Sequence, residues 1–202
     1  VASRYAVQNA PALQVSATRQ LIAGTLFAGF FLLKGEKLPS LKQMVWLAGM
    51  SVLLFVFANG LATVGVKYIS SGLAALIAAL YPLSVVIIEK IFFKNTRIGL
   101  FTFIGIILGI SGIAIVFYDN AFHNQSPNYW IGIFVSVIAM LSWSVGTIII
   151  ARKQININPY YAIGWEMLFS SLILFMIAGV TDNLIPFALF PAQTWYAIIY
   201  LV

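Results

Sequence analysis

The feature that most constrains this chain is a series of long segments that contain no charged residue, such as Gln43–Val66 and Tyr129–Ala151. A helix of about 20 residues, rising 1.5 Å per residue, crosses a hydrocarbon core of about 30 Å. Hydrophobic residues make up 62% of the 202 residues and charged residues 8%, against roughly 45–50% and about 25% in an average soluble domain. The sequence therefore predicts an integral membrane protein and excludes a water-soluble enzyme, a disordered tail and a disulfide scaffold.

The predicted fold class is all-α, a bundle of transmembrane helices, of which this chain holds about seven. Arg19 and Glu166 are the only charged residues inside the complete spans, and a seventh span starts near Trp195. The complete spans are Leu13–Leu33, Gln43–Val66, Tyr68–Ile88, Ile98–Phe117, Tyr129–Ala151 and Tyr160–Thr181.

The basic residues of the connecting loops alternate between the two sides. Loops 34–42, 89–97 and 152–158 carry eight of them, whereas the opposite ends carry only Arg4, in the outward-facing segment Val1–Ala12, and Lys67. Basic loops stay on the cytoplasmic side. We therefore expect these three loops to be cytoplasmic and the protein to be multi-pass in a membrane such as the bacterial inner membrane.

The cysteine, histidine and basic residues of the chain limit which reactions and which partners can be expected of it. The chain has no cysteine and one histidine, His123, which we place in a solvated outer loop. No catalytic residue, metal site or cofactor is expected from such a set. The basic residues are scattered between apolar runs, which argues against a nucleic-acid partner. The expected partners are a small-molecule substrate, the lipid bilayer and, as an option left open, a second copy of the chain in a homodimer.

A shift of 148 residues aligns the chain with itself, placing Arg4 on Arg152 and Pro11 on Pro159. Five spans fall within one period, and an odd number inverts the second copy, as in many secondary transporters. We therefore expect two repeats, a first over residues 1–120 that lacks its first helix and a second over residues 121–202 that stops after the start of its third helix. By this logic roughly twenty residues precede the chain and roughly sixty follow it.

Several motifs occur in an order that resembles the EamA-like family of ten-helix exporters in the drug/metabolite transporter superfamily. They are Pro11-Ala12 followed by Ala17-Thr18-Arg19-Gln20, Tyr68–Ile77 leading to Tyr81-Pro82-Leu83, Glu89-Lys90, the glycines from Gly105 to Gly112, and Gly132–Trp143. One departure is the run from Glu89 to Lys94, where many members have a short Gly-Glu turn. The resemblance implies gradient-driven export or exchange of small metabolites without ATP.

Arg19 and Glu166 are candidates for ion coupling, because an ionisable side chain inside a membrane needs a partner or a cavity. Each lies about six residues into its helix, but the two helices start from opposite sides. This leaves them on the order of 12 Å apart along the membrane normal and disfavours a direct ion pair. The alternative roles are structural: Arg19 reaches the headgroups or holds helix ends together, and Glu166 lies near the cytoplasmic interface.

The candidate substrate-binding residues are polar or aromatic positions within the spans: a pair that shares a helix face, a pair that flanks a helix-breaking proline, Pro82, and a mid-membrane tryptophan with a serine beside it. They are Asn59 and Thr63, Tyr81 and Ser84, and Trp143 and Ser144. Each pair has a structural alternative: a hydrogen bond to a neighbouring helix, a packing kink, and core or lipid packing respectively. Gly24 with Ala28, and Gly105, Gly109 and Gly112, are predicted to be close-packing surfaces between helices.

The function favoured by these features is a secondary transporter that exports or exchanges small metabolites by alternating access. The scarcity of cavity charges argues against sugar nucleotides and phosphorylated sugars. Hydroxyl and aromatic side chains favour neutral or zwitterionic solutes such as amino acids, or drugs. The alternatives left open are a membrane-embedded enzyme and a non-transport membrane scaffold; the two aspartates and single histidine do not assemble a catalytic set.

Overall fold

The structure of the chain is a computed structural model that describes residues 2–92, 99–101, 104–105, 107–109, 111–112, 115, 128–153, 155–181 and 184–202. Within these ranges the fold is all-helical, as predicted. The α-helices are α1 (Ala2–Asn9), α2 (Ala12–Leu33), α3 (Leu41–Ser51), α4 (Leu61–Tyr68), α5 (Ser71–Ala79), α6 (Tyr81–Phe92), α7 (Tyr129–Arg152), α8 (Pro159–Thr181) and α9 (Ala192–Leu201). A π-helical segment, Val52–Gly60, joins α3 to α4 and is called the π segment below.

Five helical stretches among the described residues are long and apolar enough to cross a membrane. They are Ala12–Leu33, Leu41–Tyr68, Ser71–Phe92, Tyr129–Arg152 and Pro159–Thr181. Each starts and ends within a few residues of a span predicted from the sequence, because charged residues in the flanking loops mark where the apolar run begins and ends. The predicted span Ile98–Phe117 is described only in part.

Two of these stretches are interrupted at mid-length. Leu41–Tyr68 widens into the π segment, in which the side-chain amide Nδ2 of Asn59 donates to the Leu54 carbonyl at 3.1 Å. Ser71–Phe92 breaks at Leu80, one residue before α6 begins and two before Pro82. Pro82 has no N–H to continue the helix ladder, so a break at this position is expected. Both interruptions expose backbone to neighbouring side chains near the middle of the bundle.

The tightest contact in the bundle is between α2 and α8. A Cβ atom added to Gly24 would lie 2.9 Å from the Gly164 carbonyl oxygen, and one added to Gly164 would lie 2.7 Å from the backbone nitrogen of Ala28. Small residues therefore let the two backbones meet directly, as in small-xxx-small interfaces of membrane helices. The packing role predicted for Gly24 and Ala28 is confirmed.

The structure adds a helix to the segment Val1–Ala12, which the sequence predicts to face outward. This helix, α1, packs against α4 and α9, and its residues Ala6 and Val7 are buried against Ile198 of α9. The burial of these residues outweighs the short length of the helix, because tertiary packing contributes most of a helix's stability. Arg4, on the same helix, is half-buried.

Two other predictions concern residues between 93 and 127, of which the structure describes only some. His123 lies outside the described residues. Gly105, Gly109 and Gly112 are described, and a Cβ added to any of them would meet no atom within 4 Å among the residues that the structure places. The helix that these glycines were predicted to contact is therefore not found in the described part of this chain.

Candidate functional site

A cavity of about 430 Å³ lies between α1, the π segment, α4, α5, α6 and α7. The apolar part of its wall consists of alanines from the π segment, α4, α5 and α7, together with Val66, Met140 and Trp143. Its volume is in the range of pockets that hold small molecules, and such pockets are mostly apolar with few polar groups. The polar residues of the wall are Ser3, Arg4, Asn59, Ser71, Tyr81 and Ser136.

Asn59 connects this cavity to a half-buried charge. Its side-chain oxygen Oδ1 accepts a hydrogen bond of 3.0 Å from Nη2 of Arg19, and its amide nitrogen donates to the Leu54 carbonyl. Arg19 thus bonds to the π segment, and no ion pair joins Arg19 to Glu166 among the described residues. Thr63, on the next turn, donates to the Asn59 carbonyl at 2.7 Å and does not line the cavity.

The carbonyl groups of the π segment accept hydrogen bonds from both neighbouring helices. Gln20 of α2 donates to the Phe55 carbonyl at 3.3 Å, and Ser142 of α7 donates to the Leu53 carbonyl at 2.8 Å. Gln20 also pairs with Ser170 of α8. Inside a membrane each unpaired carbonyl costs several kcal/mol, so these side chains stabilise the wide turn at the position that holds Asn59. π-helical turns are frequently found at functional sites.

Tyr81 and Trp143 form an aromatic pair on one side of the cavity. Their ring centroids are 6.5 Å apart and the ring planes are nearly perpendicular, at 78°. The Tyr81 hydroxyl donates to Oγ1 of Thr147 at 3.2 Å, which fixes the ring from α7. Such an edge-to-face pair presents a firm apolar surface to a ligand. The structure thus brings together two residues, each of which had been predicted separately.

Ser84 and Ser144 occupy a different place from the other predicted site residues. Both are buried, their hydroxyl groups hydrogen-bond to each other across the α6–α7 contact, and neither lines the cavity. Ser84 also donates to the Tyr81 carbonyl at 2.7 Å, next to the break before Pro82. The pair therefore joins α6 to α7 directly behind the Tyr81–Trp143 pair.

Four polar residues of the wall were not predicted as site residues from the sequence: Ser3, Arg4, Ser71 and Ser136. Arg4 lies in a segment that was predicted only to face outward, and the apolar residues Ala6 and Val7 that follow it could have indicated a packed helix. The three serines carry no distinctive sequence signal, because serine is common in membrane helices. The Ser136 hydroxyl lies where a Cβ on Gly65 would be, and it has no hydrogen-bond partner among the described residues.

Glu166 lies at a second cavity, of about 470 Å³, formed by α3, α7, α8 and the loop between α7 and α8. Its side chain is only 4% exposed, and it has no hydrogen bond or ion pair among the residues that the structure describes. Lys153, on the same wall, is held instead over the Trp46 ring, 4.1 Å from the centroid. The carboxyl group is therefore not neutralised by this neighbouring cation.

The family model for the EamA-like transporter family matches residues 1–118. The chain belongs to the EamA-like transporter family. This agrees with the family resemblance of the motifs and with the membrane bundle, and it covers the first cavity's walls from α1 to α6.

Three relatives illustrate the range of similar proteins. The chain is 32% identical over 187 residues to YedA of Escherichia coli, named an uncharacterized inner membrane transporter, covering 91% of this chain and 59% of the relative. It is 26% identical to an uncharacterized transporter of Synechocystis, covering 74% and 50%. It is also 26% identical to a chloroplastic WAT1-related protein of Arabidopsis thaliana, covering 84% and 41%. The chain thus spans between two fifths and three fifths of these relatives.

A crystal structure of another protein has the same fold. The superposition has a TM-score of 0.63 and covers 98% of this chain and 67% of that chain, at 18% sequence identity. The architecture described above is therefore also found in an experimentally solved protein.

Proposed function

We propose that the protein is a secondary transporter that exports or exchanges small metabolites by alternating access, and not an enzyme. The observation that carries this proposal is the cavity of about 430 Å³ between six helical segments, four of which belong to the two interrupted helices. Interrupted helices near the bilayer centre commonly form the binding sites of secondary transporters. Membership of a transporter family supports the same function.

The proposed substrates are amino acids or similar neutral or zwitterionic solutes, or drugs. The Tyr81–Trp143 pair would contact an apolar side group, and Asn59 would contact a polar one. Thr63, Ser84 and Ser144 would support this surface from behind, through their bonds to Asn59 and Tyr81 and to each other. The scarcity of charge in the wall supports small substrates with at most one net charge.

The proposed coupling residue is Glu166, at the second cavity. A buried carboxyl without a fixed cation can bind and release a proton as its cavity gains and loses contact with water, and intramembrane carboxyl groups commonly serve as proton relays. Arg19 is proposed to act structurally, through Asn59. The second cavity lies at the end of the bundle that holds loop 152–158, which the distribution of basic residues assigns to the cytoplasm.

The setting proposed for the protein is the cytoplasmic membrane of a bacterium, as a multi-pass protein with loops 34–42, 89–97 and 152–158 inside. The name of the E. coli relative, an inner membrane transporter, supports this localisation. The small-molecule substrate and the bilayer are its proposed partners, and a homodimer remains an option.

Solute counterflow with the full-length protein in proteoliposomes tests the function. The panel holds amino acids, sugars and drug-like cations. We expect exchange of one class, abolished by Trp143→Ala and retained in Trp130→Ala, which removes an exposed tryptophan from the same helix outside the cavity. Normal exchange in a correctly inserted Trp143→Ala protein would discard this site. A folded, inserted protein that exchanges no member of the panel would favour the scaffold or enzyme alternative.

A further inference from the structure

Arg4 is a half-buried cation that has no partner among the described residues. It lines the first cavity from α1, and it forms no ion pair or hydrogen bond with any residue that the structure describes. None of the described residues of the cavity wall is acidic. A charged side chain within a membrane protein is costly, and it is retained where it faces a water-filled cavity or a ligand.

A second arginine, Arg19, adds positive charge next to the first cavity. Arg4 lies five residues before the end of α1, and Arg19 lies seven residues after the start of α2, so both are on the order of 10 Å along their helices from the Pro11 turn. Arg19 hydrogen-bonds to Asn59, itself a wall residue, at 3.0 Å. The cavity is therefore bordered by two guanidinium groups, of which only that of Arg19 has a partner among the described residues, and no residue of its described wall is acidic.

The remainder of the wall is apolar. Small alanine side chains of α5 face Met140 and Trp143 of α7 across the cavity. This arrangement fits a ligand with one anionic end and an aliphatic or aromatic body. A single guanidinium matches one carboxylate through two parallel hydrogen bonds, whereas a phosphate dianion favours several basic groups.

We propose that Arg4 binds the carboxylate of the substrate, and that the substrate class is apolar monocarboxylates, in which the carboxylate is required and an ammonium group is not. This proposal rests on the proposed function; it keeps the amino acids with apolar side chains, excludes amines and cationic drugs, and adds monocarboxylate anions to the solutes considered above. Amino acids with apolar side chains satisfy it, as do the same acids without the amino group. Amines and cationic drugs do not.

Three matched ligands test the proposal with the full-length protein: phenylalanine, 3-phenylpropionate and phenethylamine. They share a benzyl body and differ in which charged group they carry. Binding is measured by the shift in unfolding midpoint in detergent, and transport by counterflow in proteoliposomes. The variants are Arg4→Gln, Arg4→Lys and the control Lys67→Gln, which removes a cation from the exposed end of α4 outside the cavity wall.

We expect the two carboxylates to bind and phenethylamine not to bind. Arg4→Gln should weaken carboxylate binding by about 10- to 100-fold, the effect of losing a hydrogen-bonded charge pair. Arg4→Lys should restore part of the affinity, and Lys67→Gln should bind like the unmodified protein. If Arg4→Gln binds the carboxylates more weakly and both Arg4 variants fold normally, Arg4 acts in ligand binding and is not required for the stability of the fold.

Each contrary result has a distinct meaning. Transport of phenethylamine, or carboxylate binding unchanged in a folded Arg4→Gln protein, would overturn the role of Arg4 and leave the transporter function standing. Carboxylate binding that depends on Arg4, without transport of any solute, would overturn the transporter function and leave this site standing. A folded protein that binds none of the three ligands would overturn the proposed substrate class.

Discussion

Gln14 and Ile185 are joined by two hydrogen bonds in opposite directions. Nε2 of Gln14 donates to the Ile185 carbonyl at 2.8 Å, and the Ile185 backbone N–H donates to Oε1 of Gln14 at 3.2 Å. The side-chain amide of Gln14 thus satisfies both the backbone N–H and the backbone carbonyl of a residue 171 positions further along the chain. It fixes the segment that leads from α8 to α9 onto the buried face of α2.

The first prediction concerns this pair. Gln14→Leu keeps the side-chain size and leaves both backbone groups of Ile185 without their partners, at a cost of about 1–3 kcal/mol. The unfolding midpoint in detergent should fall. Gln193→Leu, an equivalent change at an exposed glutamine of α9, should leave the midpoint almost unchanged. Equal midpoints for the two variants would contradict a stabilising role for the Gln14–Ile185 pair.

The second prediction concerns Arg19 and Asn59. Asn59→Leu removes the acceptor of Arg19 and leaves a half-buried guanidinium without this partner, so it should destabilise the fold by about 1–3 kcal/mol. Arg19→Met should also destabilise, but the double variant should lose clearly less than the sum of the two single losses, because the pair acts as a unit. The three unfolding midpoints test this. Additive losses would show that the two residues act independently.

The third prediction uses two glycines of the same helix. A Cβ at Gly24 would lie 2.9 Å from the Gly164 carbonyl oxygen, whereas a Cβ at Gly29 would meet no atom within 4 Å. Gly24→Ala should therefore separate α2 from α8 and cost about 1–3 kcal/mol. Gly29→Ala should be neutral or slightly stabilising, because alanine favours the helix. Comparison of the two unfolding midpoints decides the matter, and equal stability would refute the close approach.

Much of the fold could be predicted from the sequence because its signal is local. The length of the apolar runs predicted the span Leu13–Leu33, which contains one charge and which the structure places at Ala12–Leu33, and the uncharged span Gln43–Val66, placed at Leu41–Tyr68. The small residues Gly24 and Ala28 predicted a close contact for the same reason: their pattern lies within one helix. The break at Pro82 was also readable, because proline cannot continue the helix ladder.

The site was only partly readable because it depends on how helices rotate against each other. Asn59, Tyr81 and Trp143 were selected as polar or aromatic positions, and all three line the cavity. Thr63 and Ser144 fitted the same criteria, but the structure turns them toward backbone and helix contacts. Nothing local predicts the π segment, whose carbonyls are paired by side chains from α2 and α7. Arg4 was missed because α1 depends on tertiary packing against α9.

The last prediction separates coupling from binding at Glu166. Its carboxyl group lines the second cavity and has no cation partner among the described residues, whereas Glu89 pairs with Arg152 at 3.3 Å at the bundle surface. If Glu166 carries the coupling proton, Glu166→Gln fixes the site in a neutral form. Substrate exchange between equal pools should then continue at a similar rate, because it requires no net proton movement. Accumulation driven by a pH gradient across the proteoliposome membrane should fall at least tenfold. Glu89→Gln should retain both activities.

Two results would contradict this role of Glu166. If a folded Glu166→Gln protein loses exchange as well as accumulation, Glu166 acts in substrate binding or in helix packing. If gradient-driven accumulation continues at the rate of the unmodified protein, Glu166 has no part in the coupling mechanism.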